Sequence, residues 1–454
     1  MSLPLPEPES VPEPSSRERP RLTLVPGAST ELPEVADVVI VGGRISGCAT
    51  GVRLAEAGLR VVVLEREERY TDAISTHYLQ DLGLWDELGL LQDVIDLGAP
   101  KLNATRLNMD GIDLSSVHPE APRMCVRRFG LDELLRKRLD RSGAQFVTGV
   151  AVTGLVNGPD GRVDGVRVQL PDGGGTVQIL ASLVVGADGR NSTVARLTGA
   201  KKYAVTENDR NAYWRYYRNL PIPPEFHLVR HERDVFFAVP CDDGITLVVA
   251  QPPSDDERDW RDRPVFEEVA ERTIPLLRGL LHRAEQVGDM RVVRRMQGYF
   301  RESAGPGWVI LGDAGHFKDV ITGQGISDAL RQSRSLAGYI LAAWGKEPRL
   351  DRAMRYWWRA RDADAKPMYY FSQSFGRSLP PNVLDLEVFR FVNSSNRRRH
   401  NLSRLLEHRY NPRRLLGVPA LAGLVRGLFR RDTDFSQVMA AFSQSANREL
   451  GRSG

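Results

Sequence analysis

The chain is 454 residues long, ample for a sizeable core and, as a prior, for one large or two to three interleaved domains. Its 41% hydrophobic, 26% charged and 7% aromatic residues are those of an ordinary globular protein, which excludes wholesale disorder, a collagen and a bundle of spanning helices. Lys plus Arg at 62 against Asp plus Glu at 58 gives a formal charge of +4, too even a balance to call for a nucleic-acid partner.

The first 34 residues, rich in Pro, Glu, Ser and Arg, cannot bury enough apolar surface to offset their ordering entropy and read as a disordered tail. Strand-type sequence begins at Asp37 with DVVIVGG, followed by helical spacing through Cys48, Val52, Leu54 and Ala55 and a second strand, RVVVLE. Strand, turn, helix and strand within roughly 30 residues make a βαβ unit. Residues 131–143 read as a helix, and QFVTGVAVTGLV, VDGVRVQL and LVVGADG as strands. An antiparallel sheet is expected over 206–300, from the strand signals at 213–219, 235–239 and 245–250, with Asp243-Gly244 as the turn joining the last two. A strand at WVIL (308–311), a helix over 325–344 and a mostly helical, Arg-rich remainder complete the chain.

Cys48, Cys125 and Cys241 are far apart and form no Cys-x-x-Cys pair, so neither a disulfide framework nor a metal site is expected and a reducing, cytoplasmic setting fits best. No apolar run of roughly 18 residues and no secretion signal stand out. Arg397–Arg399, Arg413, Arg414, Arg430 and Arg431 flank an apolar stretch (LLGVPALAGLVRGLF). Such a segment more often packs on its own protein than on a lipid surface, so membrane contact is not expected.

Three motifs stand after strand signals. The first is Gly42-Gly43-Arg44-Ile45-Ser46-Gly47, with Glu65 closing the next strand. In a dinucleotide fingerprint, Gly42 makes the tight turn, Gly47 lets helix and strand approach, a pyrophosphate sits at the helix N-terminus and Glu65 accepts from ribose hydroxyls. Arg44 stands where the fingerprint has its second Gly, its guanidinium free to turn outward toward the pyrophosphate or ribityl chain. A plain strand-to-helix turn explains these residues about equally well when they are taken alone. The second motif is Gly186-Ala187-Asp188-Gly189-Arg190-Asn191-Ser192, and the third is Gly312-Asp313-Ala314-Gly315-His316 leading into Thr322-Gly323-Gln324-Gly325-Ile326-Ser327.

In this order and spacing the three motifs resemble the para-hydroxybenzoate hydroxylase-like FAD-dependent monooxygenases, the flavin-dependent aromatic hydroxylases, over roughly residues 37–375. The fold this implies is α/β: a Rossmann-like FAD-binding domain (35–205 and 301–375) interleaved with an antiparallel-sheet substrate domain (206–300), plus a C-terminal helical region (376–454). An excursion of the first part to the substrate sheet is allowed for near 99–125. Carried over residue by residue, the resemblance gives Asp313 as acceptor from a ribityl hydroxyl and Asp188 with Gly189 as a pair serving flavin and pyridine nucleotide. Gly323, Gln324, Gly325 and Ile326 become the helix start that faces the flavin's pyrimidine edge. Arg128, in preference to Arg127, reaches the FAD chain, and Arg66, after Glu65, completes the cofactor set. Val320 and Ser327 replace residues that the family often has as Pro and Asn.

Residues 75–80 follow the second strand where relatives flank the flavin, so His77 is a candidate proton relay, against a plain helix cap. Lys318 and Asp319 are candidates for the reactive face, against a solvated loop. Alternation sends Trp214 and Tyr216 to one face of their strand and Tyr213 and Tyr217 to the other. Trp214, Tyr216 and Phe237 are the candidate substrate contacts, against ordinary sheet packing. The resemblance implies a reaction in which NAD(P)H and O2 hydroxylate or epoxidise a bulky apolar or aromatic small molecule through a flavin C4a-hydroperoxide. A separate flavin reductase remains an alternative electron source. Rivals in the same fold are a flavin-dependent halogenase, whose usual Trp-x-Trp-x-Ile-Pro is absent, and a prenyl-chain reductase. A flavin-binding regulatory module without turnover is the rival from another class.

Overall fold

A computed structural model of the chain describes residues 32–411, apart from 72, 74, 118–122 and 295. The tail expected over 1–34 falls, up to residue 31, outside the described residues, as does the basic apolar stretch beyond 411. Strand β1 (Val35–Val41), helix α1 (Ile45–Glu56) and strand β2 (Val61–Leu64) open the fold. β1 starts ahead of the expected Asp37 because Val35 and Ala36 already pair with Leu180 and Ala181 of the strand Thr176–Gly186.

β1 lies in the middle of a parallel sheet whose order is Trp308–Ile310, Thr176–Gly186, β1, β2 and Gln145–Val147. Its side chains are buried on both faces, which is why its sequence is a continuous apolar run instead of an alternation. Val38 and Ile40 join the core shared with α1 and with the helices Arg128–Arg141, Gly325–Ala343 and Glu347–Phe375. Val39 and Val41 join the core beneath the antiparallel meander Ala151–Asn157 and Val163–Gln169. Strand Thr176–Gly186 serves both parts: its first half pairs with the meander and its second half with β1 and Trp308–Ile310.

A second, mostly antiparallel sheet has the order Glu285–Val293, Ala212–Arg218, Ile245–Gln251, Asp234–Pro240, Phe226–His231 and Ala104–Met109. Ala104–Met109 comes from much earlier in the chain, pairs in parallel with Phe226–His231 and carries the two-residue strand Ile112–Asp113 on its other side. The residues between the strands at 234–240 and 245–251 turn through Asp243, whose φ of 58° is left-handed. Trp214, Tyr216 and Phe237 lie on the inner face, toward the rest of the molecule. Tyr213, Tyr217 and Phe236 lie on the outer face, covered by helix Arg263–Thr273 and Trp260. Helices Val383–Asn393, opened by an Asn382–Asp385 capping box, and Asn396–Leu406 cross the inner face, burying Phe389, Val392, Leu402 and Leu405 against it. Among the described residues no helix is long and apolar enough to cross a membrane.

Candidate functional site

The turn between β1 and α1 is held by close backbone approach. Gly42 has a φ of 104°, and a Cβ on Gly47 would sit 1.8 Å from the Gly42 carbonyl oxygen, so a side chain at 47 would force helix and turn apart. Glu65, at the end of β2, accepts from the Gly43 amide at 2.8 Å through one oxygen and from the Glu67 amide at 3.0 Å through the other. Its carboxylate thus fixes the turn from below. Helix α1 has no acidic residue in its first turn and no side-chain cap at its N-cap, Arg44. Its leading amides are therefore left for an anion from outside, and the helix dipole favours one there.

The Arg44 guanidinium pairs with Asp132 at 2.9 Å and lies over the Tyr70 ring. Arg128 reaches the same carboxylate at 3.0 Å. Asp132, fully buried, is the shared anchor that holds both arginines beside the turn. Arg127 is committed elsewhere, on Asp242 at 2.8 Å, where it braces the second sheet. Arg66 is turned to solvent and pairs with Glu67, so the structure does not bring it to the cradle.

Asp313 lies in the short turn Gly312–Ala314 just beyond the strand Trp308–Ile310, and it is exposed. No protein donor meets its carboxylate among the described residues. Burial raises its pKa, and the charges of Arg190 and Arg128 oppose that rise. Its backbone carbonyl is fixed by the Tyr299 hydroxyl at 2.6 Å. An exposed, unpartnered acceptor suits a sugar or polyol hydroxyl. Asp188 instead spends one oxygen on the amides of Thr193 and Val194, capping a short helix, while its Oδ1 is buried without a partner. Gly189 keeps a φ of 76°.

Gly323, Gln324, Gly325 and Ile326 form the start of helix Gly325–Ala343, with Gly323 at φ 64° and Gly325 exposed. Lys318 is buried there, ion-paired with Asp328 and donating to Gln324 Oε1, each at 2.5 Å. A desolvated ammonium needs such an anion, and it holds the turn rather than a solvated loop. Asp319 accepts from Ile321 N at 2.9 Å and Asn208 Nδ2 at 2.6 Å, and burial pushes its carboxyl up to about 6.

His77 is fully buried, in a left-handed backbone conformation, with Nε2 2.6 Å from the Tyr216 hydroxyl. Burial first, and then the charges of Arg128, Arg127 and Arg291, push its pKa down to about 3, against the pull of Asp242. Trp214 donates its indole N–H to the Ser75 carbonyl at 3.0 Å. Trp214 and Tyr216 thus brace the 75–77 segment, whereas Phe237 lines a cavity beside it.

That cavity has a free volume of about 30 Å³ and is lined by Leu107, Phe226, Leu228, Phe237, Ile321 and Phe375. Thr76, Gln80, Thr322 and Gly323 form its border with the turn at the helix start, and Gln80 Nε2 donates to the Thr322 carbonyl at 2.8 Å. Arg123 and Glu407, both buried and paired with each other, stand in its wall. Sequence reasoning missed Asp132, Gln80, Arg123 and Glu407. Only Asp132 left a local trace, standing four residues after Arg128 on one helix face. A second, polar cleft of about 810 Å³ includes Arg190, Lys202, Tyr213, Trp260, Arg294 and Tyr299 in its lining.

Residues 35–356 match the family model described as "FAD binding domain". A 1H-pyrrole-2-carbonyl-[peptidyl-carrier protein] brominase of Pseudoalteromonas luteoviolacea is 23% identical over 329 residues, covering 68% of this chain and 77% of that one. The 6-methylpretetramide 4-monooxygenase of Streptomyces rimosus is 32% identical over 189 residues, 39% of this chain and 44% of that one. Among solved structures, the flavin-dependent brominase Bmp2 superposes with a TM-score of 0.68 at 19% identity, covering 85% of this chain and 97% of that one. The free helix end above Gly47 and the unpartnered Asp313 are what an FAD pyrophosphate and ribityl chain require. The chain therefore belongs to the FAD binding domain family, with the fold of the para-hydroxybenzoate hydroxylase-like flavoenzymes, and is an FAD-dependent oxidoreductase.

Proposed function

We propose that the protein is a monooxygenase that uses NAD(P)H and O2 to hydroxylate or epoxidise a bulky apolar or aromatic small molecule. The observation that carries this reading is the apolar, phenylalanine-walled cavity bordered by Thr322 and Gly323, at the helix start where the flavin ring is expected. FAD held by the Gly42–Gly47 turn, Glu65 and Asp313 would supply the redox chemistry, passing electrons from NAD(P)H to O2 so that one oxygen is transferred and the other leaves as water.

The chain's own part is to bind, orient and keep water out. Phe226, Phe237 and Leu228 offer flat and aliphatic walls and exclude solvent from the reacting space. Amides at the start of helix Gly325–Ala343 would favour negative charge on a flavin held beside them. His77, with its pKa near 3, stays neutral at physiological pH and serves as the brace of Tyr216 instead of an acid. For the nicotinamide nucleotide, the polar cleft offers Arg190 and Lys202, which have ring contacts with Phe317 and Tyr299 and no acidic partner among the described residues. The ammonium of Lys202 is held below its usual pKa by burial and by Arg301 and Arg190, so an anionic phosphate there would relieve like-charge repulsion.

The reading is tested on purified protein by its visible flavin bands, their bleaching by NADPH under nitrogen and their return in air. Oxygen uptake that rises with an aromatic substrate supports it; bound flavin with no uptake and reversible reduction alone refutes it. The brominase that aligns with 68% of this chain at 23% identity favours flavin-dependent halogenation as a second reading. Product mass with and without bromide or chloride separates the two, since a halogenase forms no product without halide.

A further inference from the structure

Arg44 stands where the dinucleotide fingerprint has its second glycine, and its side chain spans the space that a glycine would leave open. From the N-cap of α1 the guanidinium reaches Asp132 at 2.9 Å, lies 5.6 Å from the centre of the Tyr70 ring and 3.5 Å from the Thr71 carbonyl. Asp132 belongs to helix Arg128–Arg141, whereas Tyr70 and Thr71 belong to the segment that follows β2. One side chain thus ties helix, turn and loop together.

The loop is fastened at two further points. Glu65 accepts from the Gly43 amide at 2.8 Å and from the Glu67 amide at 3.0 Å, so the first residues of the loop are folded back on the turn. The Tyr70 hydroxyl donates to the Gly43 carbonyl, which also accepts from Cys48 Sγ at 2.9 Å. Burial, followed by Cys48, Asp132 and Glu65, pushes the Tyr70 pKa upward, so the phenol stays a donor. Residues 65–71 therefore run as a strap along the turn, with Arg66, Glu67, Glu68 and Arg69 exposed on its outer side. Such ties are individually weak. If Arg44 lets go, Asp132 keeps Arg128 at 3.0 Å, so the strap opens without leaving a buried carboxylate alone.

We propose that residues 65–71 are a gate over the nucleotide end of the cradle, with Arg44 as its clasp: FAD enters and leaves only when the Arg44 guanidinium releases Tyr70 and Thr71. This rests on the cradle being the FAD site. A gate raises the barrier in both directions and leaves the equilibrium nearly untouched, whereas a phosphate contact acts mainly on release. Arg44 thus governs the rate of cofactor exchange more than its affinity. A flavin that exchanges slowly is reduced where it sits, so electrons come to the bound cofactor instead of arriving with free reduced flavin.

The test compares the full chain with Arg44→Gly, which restores the fingerprint glycine, and with Tyr70→Leu, which loosens the strap without a change of charge. Association of FAD is followed by stopped-flow fluorescence, and release by exchange against a large excess of isotopically labelled FAD. Release is expected to quicken about tenfold in each variant, association to quicken about as much in Tyr70→Leu, and Kd there to shift by less than about threefold. Tyr70→Leu decides the association arm, because loss of a cation can itself slow the arrival of an anion. Tryptic cleavage after Arg66 and Arg69, mapped by mass spectrometry on flavin-free protein, reads opening without any cofactor and is expected to accelerate in both variants. Faster release with unchanged or slower association in Tyr70→Leu overturns the proposal, as do unaltered exchange or cleavage no faster than in the parent protein. A protein that takes up no FAD refutes the cradle reading, while the cleavage rates still decide whether Arg44 holds the strap shut.

Discussion

The proposed flavin cradle and the proposed substrate cavity are built on opposite principles. The cradle uses backbone from a short contiguous stretch: the Gly42 turn, the first amides of α1 and one carboxylate, Glu65, that holds the turn in place. The cavity uses side chains drawn from the strands at 104–109 and 226–240, the 75–80 segment and the far C-terminal helices. A backbone site tolerates almost no change at its few glycines. A side-chain site tolerates many single changes in shape but fails where a buried charge loses its partner.

Substitutions at the two regions break or sharpen that contrast. The largest effect is expected from Gly47→Val, which would drive a side chain into the Gly42 carbonyl. The protein should purify without flavin and show no saturable FAD binding by fluorescence quenching. In the cavity, Arg123→Ala leaves the Glu407 carboxylate buried without its principal partner and is expected to cost on the order of 3–5 kcal/mol of stability. Urea denaturation reads this cost, while the equivalent loss from Phe237→Leu should be a small fraction of it.

A smaller, pH-dependent effect belongs to His77 at the border of the two regions. Its native pKa of about 3 lies below the value near 6.5 of an unfolded histidine, so below pH 6.5 the unfolded chain binds a proton that the native state refuses. Stability is full above that pH and falls as the pH drops toward 3, by up to about 1.4 kcal/mol per pH unit. His77→Asn, whose side chain accepts a left-handed backbone, should flatten part of the decline in urea midpoint between pH 6.5 and 4.5. An unchanged slope would show that other groups, such as the equally buried His316, carry the whole of it.

The contrast also explains what the sequence reveals. The parallel sheet is legible because its strands are continuous apolar runs and its turns need glycine. The alternation of Trp214 and Tyr216 against Tyr213 and Tyr217 is legible because a pleat has a period of two. The direction of Arg44 is not, since nothing in the turn announces that Asp132 will take its guanidinium. Arg123 and Glu407 are less legible still: an ion pair across most of the chain has no spacing, and only the folded helices at 383–406 bring its halves together. Trp214 and Tyr216 point inward as their alternation requires, yet the hydrogen bonds to Ser75 and His77 make them supports for the segment beside the cavity.

The central position of β1 has a consequence for how the protein is made. Its neighbours in the sheet are β2 on one side and Thr176–Gly186 on the other, and α1 is closed over by helix Gly325–Ala343. Asp313 arrives only after the whole second sheet has been synthesised. A nascent chain emerging from the ribosome thus carries its glycine turn for most of translation without the strand, helix and carboxylate that complete the cradle. Such long-range closure is slow and leaves strand edges open in the interval. Cofactor binding is therefore expected only once the chain beyond residue 343 has folded back on α1, and fragments ending before it are expected to hold no flavin.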